Sequence, residues 1–378
     1  MAQDAFTPAE IEEYRRAHVP LYNDQKLKLG LFGTNCSQGL TMTTAETTYE
    51  ATWEHTVKVA QRADAIGMEI LVPVARWKGF GGTTNFNGIN FDTYTWAAGL
   101  AAKTENIMVC STSHLPTVHP LVAAKASTTI DHISGGRFGL NLVMGWFTPE
   151  MEMFGAPQRE HDTRYEFGNE WVEVVKRLWT EDEPFDFDGK YVHVKQGVSL
   201  PHPVQKPRPV LLNAGNSPAG IDFSAKHVDF NFATIDTLYN AETYAHAVRD
   251  RARQEYQRDI GVMNYAFVIC RDTEKEALEV KQAILDAGDY DGAKNLMAVL
   301  GMQSASFSEQ IRTYQERFIL GWGGYPIIGT PEQVTSELQK LSDVGMDGVI
   351  LGFLDYHEEM KHFDDNVMPL LRQAGLRT

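Results

Sequence analysis

Short apolar runs punctuate this chain, and amphipathic stretches lie between them. The run LKLGLFG (27–33) is short, apolar and bounded by polar residues, which predicts a strand. Trp53, Val57, Ala60 and Ala63 then mark one face of a predicted helix. Gly67 ends that helix in the manner of a C-terminal glycine, and MEILVPV (68–74) is the next strand. Near the other end, Val334, Leu338 and Leu341 predict a helix stopped by Gly345, followed by the strand GVILGF (348–353). DAIGMEILV and SDVGMDGVIL therefore write the same helix–glycine–strand unit twice. Further predicted strands are IMVCSTS (107–113), RFGLNLV (137–143), PVLLNAG (209–215), VDFNFAT (228–234) and NYAFVIC (264–270). Phe167, Trp171, Val174 and Leu178 form a clear helical stripe, and Thr330, Pro331 and Gln333 spell an N-cap, an N1 proline and a capping-box position.

About eight strands separated by helices is the count of a closed (β/α)8 TIM barrel, an α/β fold. An open doubly wound sheet is the alternative. Such barrels need ~250 residues, so a chain of 378 leaves room for additions. A polar leader (1–26) and insertions at 184–200 and about 288–329 take up the difference, within one expected domain spanning 1–378. The formal net charge is -16, and the absence of Lys/Arg clusters argues against a nucleic-acid partner. No apolar run approaches the ~20 residues of a membrane span. The N-terminus lacks the basic and apolar regions of a signal peptide. Three scattered cysteines write neither a disulfide framework nor a CxxC site, which points to a reducing, cytoplasmic setting.

In a barrel, function sits where the strands end. The residues to read are then Arg76 and Lys78, Thr112 and His114, 141–146, 213–217, and Thr234. Asn141 stands out, because a polar amide in the apolar strand FGLNLVMGW must find partners or cost roughly 1–3 kcal/mol. KGFGG (78–82) has the wrong spacing for a dinucleotide fingerprint and reads as a loop. NAGNSPAG (213–220) is either an ordinary strand-to-helix turn with Ser217 as N-cap or a phosphate seat at a helix start. EHDTRYE (160–166) reads as a helix start capped by Asp162 or Thr163, with Arg164 and Tyr165 able to reach into a site. His357 and His362 would lie about 140° apart on a helix, unlike the two ligands of an HExxH zinc site, so no metal is expected. No G-x-S-x-G nucleophile elbow is present.

TTIDHISGGRFGLNLVMGW, EHDTRYE, RLWTEDE, NAGNSPAGIDFSAKHVDFNF and ARWKGFGG together resemble the bacterial luciferase-like flavin-dependent monooxygenases. The resemblance is strongest to the branch holding the pyrimidine oxygenase and the dimethylsulfone monooxygenases, and it runs from about residue 27 to 234. Farther on, IIGTPEQV and the final strand carry it. It implies a TIM barrel using reduced FMN, supplied by a separate NAD(P)H:flavin reductase, with O2 as second substrate. An oxygen adduct at flavin N5 or C4a would then attack a small heteroatom-containing compound: a pyrimidine, a sulfone or a halogenated or heteroaromatic molecule. Carried over residue by residue, Ala75 and Arg76 border the flavin, and Asn141 and Glu150 contact its ring system or sugar chain. Arg164, Tyr165 and Ser217 hold the ribityl and phosphate end, and Thr112 with Asn141 forms the oxygen pocket. CSTSHLPTVH departs from the pyrimidine-oxygenase pattern by placing His114 near the site, as an acid–base group or as a packed rim residue. A deazaflavin F420-dependent oxidoreductase and a non-catalytic flavin-binding protein are the rival readings. Family habit suggests a homodimer or tetramer.

Overall fold

The computed structural model describes residues 6–302 and 308–378. Its strands, in chain order, are β1 (Lys28–Phe32), β2 (Ile70–Val72), β3 (Met108–His114), β4 (Phe138–Val143), β5 (Phe185–Asp188), β6 (His193–Gly197), β7 (Val210–Asn213), β8 (Phe230–Ala233), β9 (Gly261–Cys270), β10 (Tyr325–Gly329) and β11 (Gly348–Gly352). Helices separate nearly all of them, and the architecture is the closed (β/α)8 barrel of parallel strands. Each predicted barrel strand is present. β9 starts three residues before its predicted beginning, because Val262 and Met263 extend the buried apolar run. Strands buried on both faces read as continuous apolar runs rather than alternations, which is why they were visible: every residue of β3 is buried.

The chain divides into two compact units. One comprises the N-terminal segment up to Asp24, Thr93–Asn231 and Ala247–Gly261. In it β3, β4 and β7 run parallel, with Thr112 opposite Asn141 and Gly139 opposite Val210. The helix Pro120–Ser134 ends in the SGG signal, Gly135 taking the left-handed conformation at φ 67°. Arg137 then begins the next run by donating to the carbonyls of Ile107 and Thr104 at 2.6 and 2.9 Å. The other unit comprises Gln25–Asp92, Phe232–His246 and Val262–Thr378. Its strands lie in the parallel order β10-β9-β11-β1-β2.

The two expected insertions are structured. The first holds the antiparallel hairpin β5–β6. The second supplies the helices Tyr290–Val299 and Ser308–Gly321 and the strand β10, which pairs with β9; its residues 303–307 lie outside the described residues. Two local readings are corrected. The helix Trp53–Ala65 buries Thr56, Val59, Ala60 and Ala63, while Trp53 is exposed and packs edge-on against Phe91. The helix His161–Thr180 has Glu160 as its N-cap with no side-chain cap bond, so Asp162 lies inside the first turn rather than capping it.

Candidate active site

Strand alternation places Thr112 and His114 on one face of β3 and Ser111 and Ser113 on the other. Ser111 Oγ donates to the Thr93 carbonyl at 3.0 Å, and Thr93 Oγ1 donates to the Thr112 carbonyl at 2.8 Å, so the helix Thr93–Ala101 fixes this strand end. Across the ladder, Asn141 Nδ2 donates to Thr112 Oγ1 at 3.1 Å. Both side chains are buried. Asn141 Oδ1 is buried with no hydrogen-bond partner among the described residues. An orphaned amide oxygen is costly, and it marks a position where a ligand N–H would be accepted. After β4 the short helix Thr148–Met153 brings in Glu150, which is fully buried. Glu150 Oε2 lies 3.4 Å from His114 Nδ1, so β3 ends in a buried histidine–carboxylate pair.

The turn after β7 is built around Asn213. Its Nδ2 donates to the Leu142 carbonyl at 2.6 Å, and its Oδ1 accepts from Gly215 N at 2.8 Å and from Ser224 Oγ at 3.0 Å. Ser217 caps the helix Pro218–His227, its Oγ accepting from Gly220 N at 3.2 Å. Tyr165 reaches this turn from the helix His161–Thr180. A Cβ on Gly215 or Gly220 would lie 2.7 or 2.8 Å from the Tyr165 hydroxyl, so both positions require glycine. Burial pushes the Tyr165 phenol up, partly offset by its hydrogen bond with Ser217 and by the Arg164 charge. Arg164 Nη1 donates to the Gly145 carbonyl at 3.4 Å, and its Nε is buried without a partner among the described residues. The unit thus brings together Thr112 with Asn141, His114 with Glu150, and Tyr165 with Ser217.

Ala75 and Arg76 belong to the other unit, just beyond β2, and both are buried. The Arg76 guanidinium lies 4.9 Å from the centroid of the Phe80 ring and 5.9 Å from that of Trp322.

The model of the luciferase-like monooxygenase family matches residues 28–348. The chain belongs to this family. Among curated relatives, the pyrimidine monooxygenase RutA of Acinetobacter baylyi is 30% identical over 91% of this chain and 95% of its own. The RutA of a Bradyrhizobium species is 32% identical over 93% and 99%. The FMNH(2)-dependent dimethylsulfone monooxygenase of Pseudomonas putida is 30% identical over 92% and 96%. Among solved structures, the long-chain alkane monooxygenase LadA superimposes with a TM-score of 0.85 at 21% identity, covering 94% of this chain and 93% of that one. DmoA from Hyphomicrobium sulfonivorans gives 0.84 at 21%, covering 94% and 90%.

Two features of this luciferase-like chain were not found from sequence. Trp322 carries only a weak signal, an aromatic residue between glycines in GWGG. The second is a charged network around Asp229, whose members are far apart in sequence. Asp229 accepts from Arg15 at 3.0 Å, from Arg208 at 2.6 Å and from Leu211 N at 2.8 Å, and Arg258 stands at 3.9 Å. Burial would raise the Asp229 carboxyl, but Arg15 and Arg208 outweigh it and hold it well below the usual range. Nearby, Lys176 Nζ lies 3.3 Å from His227 Nδ1, and His227 Nε2 lies 2.6 Å from Asn169 Oδ1. Burial, reinforced by Arg208 and Arg258, pushes Lys176 down to about 7. Burial and the Lys176 charge push His227 down to about 2.

Proposed function

We propose that this chain is the oxygenase of a two-component system. It takes reduced FMN from a separate NAD(P)H:flavin reductase and uses O2 to oxidise a small heteroatom-containing organic substrate. The observation that carries the reading is the buried Thr112–Asn141 pair with its orphaned amide oxygen. The donor set also suits FMN. Asn141 Oδ1 is an acceptor for a ring N–H. The glycine turn at Gly215 and Gly220 opens a helix N-terminus of the kind that receives phosphate. Tyr165, Ser217 and the Arg164 guanidinium are donors suited to the ribityl and phosphate end. When bound, reduced FMN supplies the two electrons with which O2 delivers one oxygen atom to substrate and leaves the other as water.

The protein's part is to position, exclude water and manage protons. Asn141 donates to the Thr112 oxygen and thereby aims that hydroxyl as a donor toward the reacting oxygen. His114, whose Nδ1 faces Glu150 Oε2 at 3.4 Å, is the acid–base group for a substrate proton. Assembly as a homodimer or tetramer is part of the proposal, read by sedimentation.

The deciding experiment is an anaerobic titration of protein fluorescence with oxidised FMN, dithionite-reduced FMN and F420. Tight binding of reduced FMN is the expected result. Failure to bind FMN in either state would sink the proposal, and tight F420 binding in its place would assign a deazaflavin oxidoreductase. Stoichiometric FMN with no turnover of pyrimidines, sulfones or haloaromatics alongside a reductase would assign a flavin-binding protein.

A further inference from the structure

Behind the glycine turn that follows β7 stand three buried polar side chains, Asn213, Ser224 and Asn231, none more than 2% exposed. Like Asn141, Asn231 is an amide inside an apolar strand, every residue of which is buried. Such groups must be paired, and these three pair with one another and with the turn. Asn213 and Asn231 are direct neighbours in the parallel pairing of β7 with β8, and Ser224 comes from the helix Pro218–His227.

The chemistry of the partners fixes the direction of each bond. Gly215 N can only donate, so Asn213 turns Oδ1 to it at 2.8 Å and Nδ2 to the Leu142 carbonyl at 2.6 Å. The Gly215 carbonyl can only accept, so Asn231 turns Nδ2 to it at 3.2 Å. Ser224 Oγ accepts from Asn231 Nδ2 at 2.8 Å and donates to Asn213 Oδ1 at 3.0 Å. Both polar groups of the Gly215 backbone therefore meet one polarised chain that runs from Asn231 through Ser224 to Asn213. On its other side the turn is crowded by the Tyr165 hydroxyl, which leaves no room for a Cβ at Gly215 or Gly220.

We infer that Asn231, acting through Ser224 and the Gly215 backbone, is a positioning residue for the phosphate end of FMN. It fixes the turn against which Tyr165 and Ser217 present their donors. Hydrogen bonds to an anion are short and weaken steeply when donors move out of line, so a turn that drifts should lose the phosphate. The Thr112–Asn141 pair assigned to the flavin ring lies on β3 and β4 and shares none of these bonds. The inference rests on the FMN reading above, and it separates the two ends of the cofactor.

The test compares oxidised FMN with riboflavin, which carries the same ring and ribityl chain without the phosphate. Both are titrated by fluorescence against the full-length chain. The wild type should bind FMN at least about tenfold more tightly than riboflavin. Asn231→Leu keeps the side-chain size and removes both donor bonds. It should lose at least about tenfold in FMN affinity while riboflavin affinity stays within about twofold of wild type. Ser224→Ala removes the middle link and should shift the FMN-to-riboflavin ratio in the same direction. Should Asn231→Leu fail to fold, Ser224→Ala decides by that ratio. Melting temperatures should fall in both variants with a cooperative transition retained. An unchanged ratio in the folded variants would overturn the inference alone, and so would a parallel loss of both flavins, the mark of general loosening. A wild type that binds FMN and riboflavin equally would remove the phosphate seat and the inference with it. A wild type that binds neither flavin would reject the oxygenase reading as well.

Discussion

At the scale of single residues, Asn141 does two jobs with one amide. Its nitrogen donates to Thr112, and its oxygen is buried without a partner among the described residues. Asn141→Ala should therefore weaken reduced-FMN binding by about tenfold, the worth of roughly one buried hydrogen bond. Loss of an aimed donor should also lower turnover of any identified substrate by ~10²-fold. Anaerobic titration and coupled assays with a reductase measure the two effects separately. Gly215→Ala is the steric counterpart. Its new Cβ would meet the Tyr165 hydroxyl at 2.7 Å and Asn213 Oδ1 at 2.8 Å, so FMN affinity should fall while the barrel stays folded. A lowered melting temperature with a cooperative transition retained, beside a lost FMN titration, is the expected pattern.

Between elements, the helices His161–Thr180 and Pro218–His227 share the Lys176–His227 contact. The native Lys176 titrates at about 7 against an ordinary 10.5. Between those values the unfolded chain holds a proton that the native chain does not. Stability contributed by this group therefore rises with pH across that window, by up to about 1 kcal/mol per pH unit. Lys176→Met should remove that slope and raise the melting temperature most at pH 7 and below, where the native lysine must be buried charged. Melting curves from pH 6 to 10 decide it; an unchanged slope in the variant would refute the assignment. Helix-level features were well marked in sequence where they depend on neighbours along the chain. The Thr330–Gln333 capping box is present with both bonds made. Trp53 was misplaced because a helix stripe fixes a period but not which edge of the stripe meets the core.

For the whole molecule, the strand sequence was legible because parallel strands buried on both faces cannot hide their apolar runs. What joins distant segments was not. Arg15, Arg208, Asp229 and Arg258 carry no mutual spacing signal, yet Asp229 ties the leader helix Pro8–His18 to the start of β8. Asp229→Ala would leave buried guanidiniums unpaired and should cost about 3–5 kcal/mol, read as a large drop in melting temperature. Because its folded pKa is depressed, this stabilisation is present at neutral pH and is lost as pH falls below the ordinary carboxylate value. The candidate site was partly legible: Thr112, His114, Asn141, Glu150, Arg164, Tyr165 and Ser217 are proposed from strand ends and family likeness. The contacts among them, such as the His114–Glu150 pair, depend on where helices deposit side chains after the strands end, which no local pattern encodes.

The tie between Asp289 and Thr84 sets a rule for anyone recombining this enzyme with its relatives. Gly82 leaves no room for a Cβ beside the Asp289 carboxylate, which would stand 2.4 Å away. With Thr84 N and Oγ1 both donating to Asp289 at 2.8 Å, the segments around residues 79–84 and 289–295 are therefore one heritable module written in two distant stretches. A chimera that exchanges either stretch alone should yield an unstable protein, whereas exchanging both together should restore a melting temperature near that of the parents.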